Sequence, residues 1–375
     1  MPMNISVALI VRDEEQTLSR CLDSVCNAVD ETIVVDTGSQ DATREIAQRY
    51  TQNVSEFAWA DDFSAARQFA FDQANTDWVA WLDADDVVQG AEQIRSLLED
   101  TPSDVGMIYW PYIVAWDDYS NPPCQYWRER LVRNDGAFKW KGRVHEVLVS
   151  QSPCKSQRWE QIVVKHLPLG ERAAAHHQRN LKILETEYLE RNGELEPRML
   201  YYLAREYVAA RDFEKALQIF EKHISRTNWD DERYLAMVQS GEVLLTLGRY
   251  DQAIDTLFAA LKLCPHWPDA YFNLAKVYYF LQDWHKVVHW CEVGRAMPRP
   301  NTLLFVNPMS YQYDWIIYFT NALFHVGQIE EALTWTQRAL KLHPNDLWHR
   351  ENYNLFSGML WAQTPLAAFS EKEWS

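Results

Sequence analysis

The chain has 375 residues, 47% of them apolar and 24% charged, which is long enough for two or three domains and too apolar for a disordered protein. Its 36 Lys and Arg against 53 Asp and Glu give a formal charge of −17, which disfavours nucleic acid as a partner. The first residues lack the basic stretch of a secretory signal, and no apolar run is long enough to span a bilayer, so we expect no transmembrane segment.

The six cysteines lie at positions 21, 26, 124, 154, 264 and 291, and no two of them form a CxxC pair. This spacing lacks both the framework of a small disulfide-rich domain and the ligand pattern of a structural zinc site. It predicts reduced structural thiols in a cytoplasmic protein.

The first half of the chain alternates short apolar runs with amphipathic segments. The apolar runs cover residues 5–11, 32–36, 53–57 and 78–83. Runs of this length are typical of buried strands, and the segment after the first run carries Leu18, Cys21 and Leu22 at helical spacing. The alternation predicts an α/β domain with a mostly parallel sheet covered on both faces, in which ligands gather at the carboxyl ends of the strands.

The strand pattern stops near residue 171, where pairs of helical segments begin. An aromatic or aliphatic residue followed three positions later by Ala or Val recurs at Phe213, Tyr250, Trp284 and Ile329. The interval is close to the roughly 34 residues of a tetratricopeptide repeat (TPR), with an insertion before Ile329. Residues 247–265 resemble that repeat closely, so the second half is predicted to be an all-α array of TPR-like helix pairs.

Four polar motifs follow the predicted strands in order. They are Arg-Asp-Glu at 12–14, Asp-Thr-Gly-Ser at 36–39, Asp-Phe-Ser-Ala-Ala-Arg at 62–67 and Asp-Ala-Asp at 83–85. Because Asp83 and Asp85 are one residue apart at the end of a strand, both carboxylates project to one side, where they can bind a hard divalent cation shared with a diphosphate. The alternative for this pair is a capped turn, and for Asp36 and Asp41 it is turn and helix capping.

Together these motifs, over residues 5–88, resemble the nucleotide-binding half of family 2 glycosyltransferases of the GT-A fold. By this resemblance one set of residues is expected to contact a nucleotide-sugar donor: Arg12, Glu14, Asp36, Asp62, Arg67, Asp83 and Ala84. Within the set, Asp36 and Glu14 are expected to meet the ribose and the base. Asp85 is expected to bind the metal.

Two later segments each place a histidine beside an apolar run. They are Gly-Arg-Val-His-Glu at 142–146 and Val-Val-Lys-His at 163–166, and Arg-Asn-Leu follows at 179–181. In this order they are similar to a subgroup of these transferases that includes bacteriocin peptide glycosyltransferases. The likeness implies that His166 is a further protein ligand to the metal.

The same likeness implies a catalytic pair, His145 and Glu146, with Glu146 taking the proton from the acceptor. An inverting displacement needs an acceptor in line, one base, and positive charge beside the leaving diphosphate. Asp117 and Asp118 form a rival pair that could supply the base from a loop. The simpler interpretation of that pair is two solvated acids in a loop.

The sequence therefore predicts a GT-A domain over residues 1–170 and a TPR-like domain over residues 171–375. The expected activity is metal-dependent transfer of a hexose, glucose or N-acetylglucosamine, from a UDP-sugar with Mn²⁺ or Mg²⁺ as the cation. The acceptor is expected to be a peptide, a protein or a saccharide, and the repeats are expected to present a surface to it or to a second copy of the chain in a homodimer. The alternatives are a TPR scaffold with a degenerate transferase domain, and a transferase acting on modified DNA bases.

Overall fold

A computed structural model describes residues 3–115, 121, 124–168, 173–300, 302 and 304–363 of the chain. The rival acids Asp117 and Asp118 lie outside these residues. The chain divides into two compact units, the first formed by Met1–Ala115 with Pro123–Lys222 and the second by Trp116–Pro122 with His223–Ser375. Helices that follow the last strand are thus part of the first unit, while the predicted domain boundary after residue 170 stays a prediction.

The first unit contains all the strands that the described residues form. They are β1 (Ile5–Val11), β2 (Glu31–Asp36), β3 (Val54–Glu56), β4 (Trp78–Leu82), β5 (Asp86–Gln89), β6 (Val105–Ala115), β7 (Cys124–Arg133), β8 (Phe138–Lys141), β9 (Val147–Ser150), β10 (Lys155–Arg158) and β11 (Val163–His166). Its helices are α1 (Leu18–Asp23), α2 (Thr43–Tyr50), α3 (Phe63–Phe71), α4 (Ile94–Glu99), α5 (Ala173–Glu190), α6 (Pro197–Ala209) and most of α7 (Phe213–Arg226).

The secondary-structure elements that the described residues of the second unit form are all helices. The helices are α8 (Asp230–Thr246), α9 (Tyr250–Leu263), α10 (Asp269–Phe280), α11 (Trp284–Arg295), α12 (Pro308–Gln312), α13 (Ile316–His325), α14 (Ile329–Leu342) and α15 (Leu347–Gln363). The predicted all-α second half is confirmed, and the short helix α12 lies in the predicted insertion. No helix in the described part of the chain combines the length and the apolar character needed to cross a bilayer.

The main sheet has the strand order β3-β2-β1-β4-β7-β6-β11-β5, with β10 also paired to β6. Strands β1 to β4 run parallel to one another, as predicted, and β10 and β11 run parallel to β6. Strand β7 is antiparallel to both β4 and β6, and β5 is antiparallel to β11. The predicted α/β domain is therefore confirmed, with a sheet that becomes mixed beyond β4.

Both faces of the sheet are buried because alternate residues of each strand face opposite layers. In β1, Val7 and Leu9 join a core that includes Leu22 of α1, whereas Ala8 joins the opposite core with Phe71 of α3. A strand buried on both sides is held firmly in register, and this fixes the position of the polar residues that follow its carboxyl end.

The second helix of each repeat pair begins at the residue that the sequence pattern marks: Phe213, Tyr250, Trp284 and Ile329. Two residues before each start the backbone adopts a left-handed conformation, which Gly248 and Gly327 take at φ of +71° and +82°. Arg211 and Gln282 occupy the equivalent positions, both at φ of +59°. The tight turn is therefore kept in all four pairs, although two of them lack the glycine that makes it easiest.

Close packing in the second unit predicts that adding a single methyl group at Gly294 of α11 destabilises the protein. A Cβ atom built there would lie 2.7 Å from Cε1 of Phe272, whose ring cannot retreat because it is stacked on Trp315 at a centroid distance of 5.2 Å. We expect Gly294→Ala to lower the free energy of unfolding by about 1–3 kcal/mol, despite the better helix propensity of alanine.

The matched control is Gly358→Ala in α15, where the added Cβ meets open space and should raise stability by up to about 1 kcal/mol. Urea unfolding followed by tryptophan fluorescence compares the two variants. Equal stabilisation by both would show that the space beside Gly294 is not closed.

Candidate active site

The carboxyl ends of β1, β2 and β4 lie together because these strands are parallel neighbours. Val11 is in register with Asp36, and Leu9 with Leu82, so the chain leaves all three strands at one edge of the sheet. The motifs that begin at Arg12, Asp36 and Asp83 consequently converge at this edge, as expected for a parallel α/β sheet.

Two cavities open at this edge within the first unit, one of about 460 Å³ and one of about 320 Å³. The larger cavity alone is lined by Arg12, Glu14, Thr37, Trp59, Ala84 and Asp85, among others. The smaller cavity alone is lined by Tyr112, Arg128, His145, Glu146 and Asn180, among others. Both share a set of wall residues, which shows that they adjoin: Phe63, Arg67, Asp83, His166 and Arg179.

Two of the predicted donor contacts, Asp36 and Asp62, line neither of these cavities, whereas all the other predicted site residues line one or both. Asp36 accepts the backbone N–H groups of Gly38 and Ser39 at 2.7 Å, which closes the turn after β2. Asp62 is the N-cap of α3 and accepts the N–H of Ala65 at 2.9 Å. Both carboxylates thus have local capping roles, and their contact with a nucleotide stays a prediction.

Arg67 binds two of the predicted site acids at once. Its Nη2 donates to Oδ1 of Asp83 at 2.5 Å, and its Nε donates to Oε1 of Glu146 at 2.6 Å. Burial acts to raise the pKa of Asp83, but the charges of Arg67 and Arg130 hold this pKa well below its usual range. Arg67 therefore keeps the strand-end acid ionised and ties it to Glu146 across the wall that the two cavities share.

A second arginine, Arg130 of β7, neutralises the acid that follows the DxD motif. Its Nη2 lies 3.0 Å from Oδ2 of Asp86, and both side chains are fully buried. The guanidinium lies over the ring of Trp81 at 3.9 Å, and Oδ2 of Asp86 also accepts the N–H of Asp83 at 3.0 Å. Asp86 is thus a structural acid that shapes the turn between β4 and β5.

Asp85 and His166 come together because β5 and β11 pair in antiparallel register, with His166 opposite Asp86. Nδ1 of His166 lies 3.3 Å from Oδ1 of Asp85 and 3.2 Å from Oδ1 of Asp86. Burial acts to lower the pKa of His166, but the two carboxylates outweigh it and raise the pKa to about 10. Leu167 fixes the strand end by donating its N–H to the carbonyl of Asp85 at 2.9 Å.

His145 is turned towards the helices that follow the sheet. Its backbone has φ of +53°, and its ring is stacked on Tyr202 of α6 at 3.9 Å. Its Nε2 lies 3.1 Å from Oε1 of Glu206, which is 3% exposed and also meets Nδ1 of His177 at 2.6 Å. Burial acts to raise the pKa of Glu206, but these two histidines hold this pKa below its ordinary value.

Sequence reasoning missed the roles of Arg130 and Glu206. The two arginines of β7 that precede its apolar end, Arg128 and Arg130, were a signal, because alternate residues of a strand face one side together. Glu206 gave no signal of this kind, since it lies in a helix that otherwise matches the repeat pattern.

Comparison with known proteins agrees with this architecture. Residues 6–148 match the model of glycosyl transferase family 2, and residues 241–282 match a TPR repeat model. The SPbeta prophage-derived glycosyltransferase SunS of Bacillus subtilis (strain 168) is 27% identical over 262 residues, which cover 66% of this chain and 60% of SunS. A TPR repeat-containing protein of Synechococcus elongatus is 36% identical over 177 residues, or 44% of this chain and 42% of that protein.

Two further similarities concern the separate halves. The lipopolysaccharide core biosynthesis glycosyltransferase LpsC of Rhizobium meliloti (strain 1021) is 26% identical over 160 residues, covering 39% of this chain and 57% of LpsC. A thermophilic TPR protein of Thermus thermophilus superposes with a TM-score of 0.37 at 20% identity, over 49% of this chain and 92% of that structure. The chain spans between 42% and 60% of the length of these curated relatives.

The first unit therefore carries a family 2 glycosyltransferase domain of the GT-A fold. TPR repeats follow it in the chain. The resemblance recognised in the sequence motifs is confirmed in both halves.

The buried pair between Asp86 and Arg130 predicts a large loss of stability when one charge is removed. Asp86→Asn leaves the fully buried guanidinium of Arg130 without its nearest anion, so we expect the free energy of unfolding to fall by about 3–5 kcal/mol. The control Asp100→Asn changes an exposed acid at the end of α4 and should leave stability unchanged. Urea unfolding in EDTA tests this, and equal midpoints for the two variants would contradict the structural role of Asp86.

Proposed function

We propose that this protein is an inverting, metal-dependent glycosyltransferase that moves a hexose, glucose or N-acetylglucosamine, from a UDP-sugar to an acceptor hydroxyl. The observation that carries the proposal is the meeting of two cavities at a wall made by Arg67, Asp83, His166 and Arg179. One cavity suits a nucleotide and the other contains Glu146 as a base. A sugar that passes from one substrate to the other must cross such a junction.

The larger cavity suits the nucleotide because its wall combines an aromatic ring with polar groups. Trp59, held by a 2.9 Å hydrogen bond from Nε1 to Asp61, offers a face on which a base can stack. Arg12 and Glu14 follow β1 and offer a cation and a hydrogen-bond acceptor. Asp83 at the shared wall is ionised and suits the hydroxyl groups of a ribose.

The donor set beside this cavity suits Mn²⁺ or Mg²⁺. Oxygen atoms of Asp85 and Asp86 and a nitrogen of His166 lie within 4.8 Å of one another, and two ligands at right angles, about 2.1 Å from a cation, lie about 3 Å apart. Asp85 and His166 have this spacing and are the proposed ligands, because Asp86 is already neutralised by Arg130. When bound, such a cation neutralises the donor diphosphate, which the acids of this edge would otherwise repel.

Glu146 lies in the smaller cavity, where an acceptor hydroxyl can approach it. In the proposed step the acceptor oxygen forms a bond to the anomeric carbon, the bond from that carbon to the diphosphate oxygen breaks, and UDP leaves with the electron pair. The hydroxyl proton passes to Glu146 as the new bond forms, when the hydroxyl is most acidic. Arg67 orients the carboxylate through its 2.6 Å hydrogen bond. Asp117 and Asp118 are the alternative base.

The acceptor is proposed to be a peptide, a protein or a saccharide. TPR-like arrays present extended surfaces to partners, and the match of residues 241–282 to a repeat model supports a partner surface in the second unit. A homodimer through the same repeats is the other use of that surface. A cytoplasmic location is proposed as well, since all six cysteines are free thiols.

Donor turnover is the direct test. We expect the wild-type protein with Mn²⁺ to release UDP from UDP-glucose or UDP-N-acetylglucosamine, and Asp85→Asn and Glu146→Gln each to lower kcat by about 100-fold or more. Asp100→Asn is the matched control and should keep wild-type turnover. Asp117→Asn and Asp118→Asn, measured in the same assay, separate the alternative base from Glu146.

Two outcomes contradict the proposal in different ways. A wild-type protein that neither binds nor hydrolyses any nucleotide sugar is a scaffold with a degenerate transferase domain. Full activity in Glu146→Gln together with loss in Asp117→Asn or Asp118→Asn would keep the transferase and reassign the base.

Metal binding should release a proton, because His166 holds one well above neutral pH through its two carboxylate partners. A nitrogen must lose its proton before it binds a metal, so the apparent affinity for Mn²⁺ should rise by about tenfold per pH unit between pH 6.5 and 8. Calorimetry in buffers of different ionisation enthalpy measures the released proton. Binding without any proton release would exclude His166 as a ligand.

A further inference from the structure

Arg179 of α5 lies at the junction of the two cavities. It follows the residues that match the family model, which end at position 148. It is nevertheless part of the wall of both cavities, together with Arg67, Asp83 and His166. In the proposed function, this junction is where the donor sugar joins its diphosphate.

The guanidinium of Arg179 is held in place without being neutralised. Its Nε and Nη2 donate to Oδ1 of Asn180 at 3.3 and 3.2 Å, and its Cζ lies 4.8 Å from the centroid of the Phe63 ring. In the described part of the chain no carboxylate oxygen lies within 4.0 Å of it, and its Nη1 makes no hydrogen bond. Arg179 is exposed to solvent. Partial desolvation still lowers its pKa, and Arg12 acts in the same direction, whereas the charge of Glu146 acts to raise it.

The other arginines of the shared wall and its surroundings are already paired. Arg67 is bound to Asp83 and Glu146, and its pKa is raised because these acids outweigh its burial. Arg130 is paired with Asp86. Arg179 therefore differs from Arg67 and Arg130, because it has no carboxylate partner among the described residues and its charge is available to a ligand.

A hydrogen-bonded frame in the first unit fixes the helix that carries Arg179. Nδ2 of Asn180 donates to Oε1 of Glu206 at 3.4 Å, and the same carboxylate binds His145 and His177. His145 precedes Glu146 in the chain, so one buried anion links the segment of the proposed base to the segment of Arg179. Such a frame keeps the cation at a set distance from the reacting centre, as preorganised electrostatic stabilisation requires.

We propose that Arg179 is a catalytic residue that binds the departing diphosphate of the donor and stabilises the negative charge that develops there as the glycosidic bond breaks. This inference rests on the proposed function. Arg179 binds the diphosphate rather than the nucleoside, because it lines both cavities, whereas Trp59 and Glu14 line the larger cavity alone.

The test compares nucleotides that differ in the second phosphate. Arg179→Met should weaken binding of UDP, measured by calorimetry with Mn²⁺, by about tenfold or more, while binding of UMP changes by less than about threefold. The same variant should lower kcat for UDP release by about 100-fold, and Arg179→Lys should recover part of this loss because it keeps the charge. Arg191→Met is the control, since Arg191 lies beyond the end of α5 and pairs with Glu187 at 3.0 Å.

Two results for a folded Arg179→Met variant would overturn the role. Unchanged UDP affinity and kcat in a folded Arg179→Met variant would exclude contact with the diphosphate. Equal weakening of UDP and UMP would mean that Arg179 only supports the shape of the pocket. If Arg179→Met does not fold, Arg179→Lys is the test variant, because the role predicts that it has a lower kcat than the wild type with unchanged UMP affinity.

Failure of this role can be told apart from failure of the proposed function. A wild-type protein that binds neither nucleotide refutes the proposed function and this role with it. An active wild type with an unaffected Arg179→Met variant refutes this role alone.

Discussion

Acids buried at the edge of a sheet cost free energy unless cations lie beside them, and two arginines meet this requirement here. Arg67 binds Asp83 and Glu146, and Arg130 binds Asp86 while stacked on Trp81. The consequence is a division of labour among neighbouring acids. Those bound to arginine are held in fixed positions, and Asp85 is left with His166 as its neighbour, open to a cation.

The same pairing of buried charges explains why the first compact unit extends to Lys222. Glu206 of α6 is buried between His145, His177 and Asn180, so the helices after the sheet are bound to the segment that carries Glu146. Removing these helices would leave His145 and its left-handed backbone without their partners. The helices that begin the second half of the sequence are in this sense part of the candidate active site.

Local sequence patterns predicted much of the fold, because the burial of a strand or helix and the conformation of a turn depend on residues that are close together in the chain. Periodicity and glycine before a turn predicted the strand ends at Val11 and Asp36 and the helix starts at Tyr250 and Ile329. The contacts that the sequence did not predict join residues that lie far apart in the chain. Arg130 meets Asp86 only because β7 returns antiparallel to β4, and Glu206 reaches His145 across 61 residues, which no local pattern encodes. Arg211 and Gln282 take left-handed turns without glycine because the surrounding helix pair imposes them.

A crystal structure of the protein with UDP and Mn²⁺ tests the central claim most directly, since it locates every charge at the sheet edge at once. We expect the uracil ring to lie against Trp59, the diphosphate to lie between Asp85, His166 and Arg179, and Arg67 to remain bound to Asp83. A nucleotide found elsewhere, or an edge whose acids remain closed on their arginines with no room for a diphosphate, would contradict it.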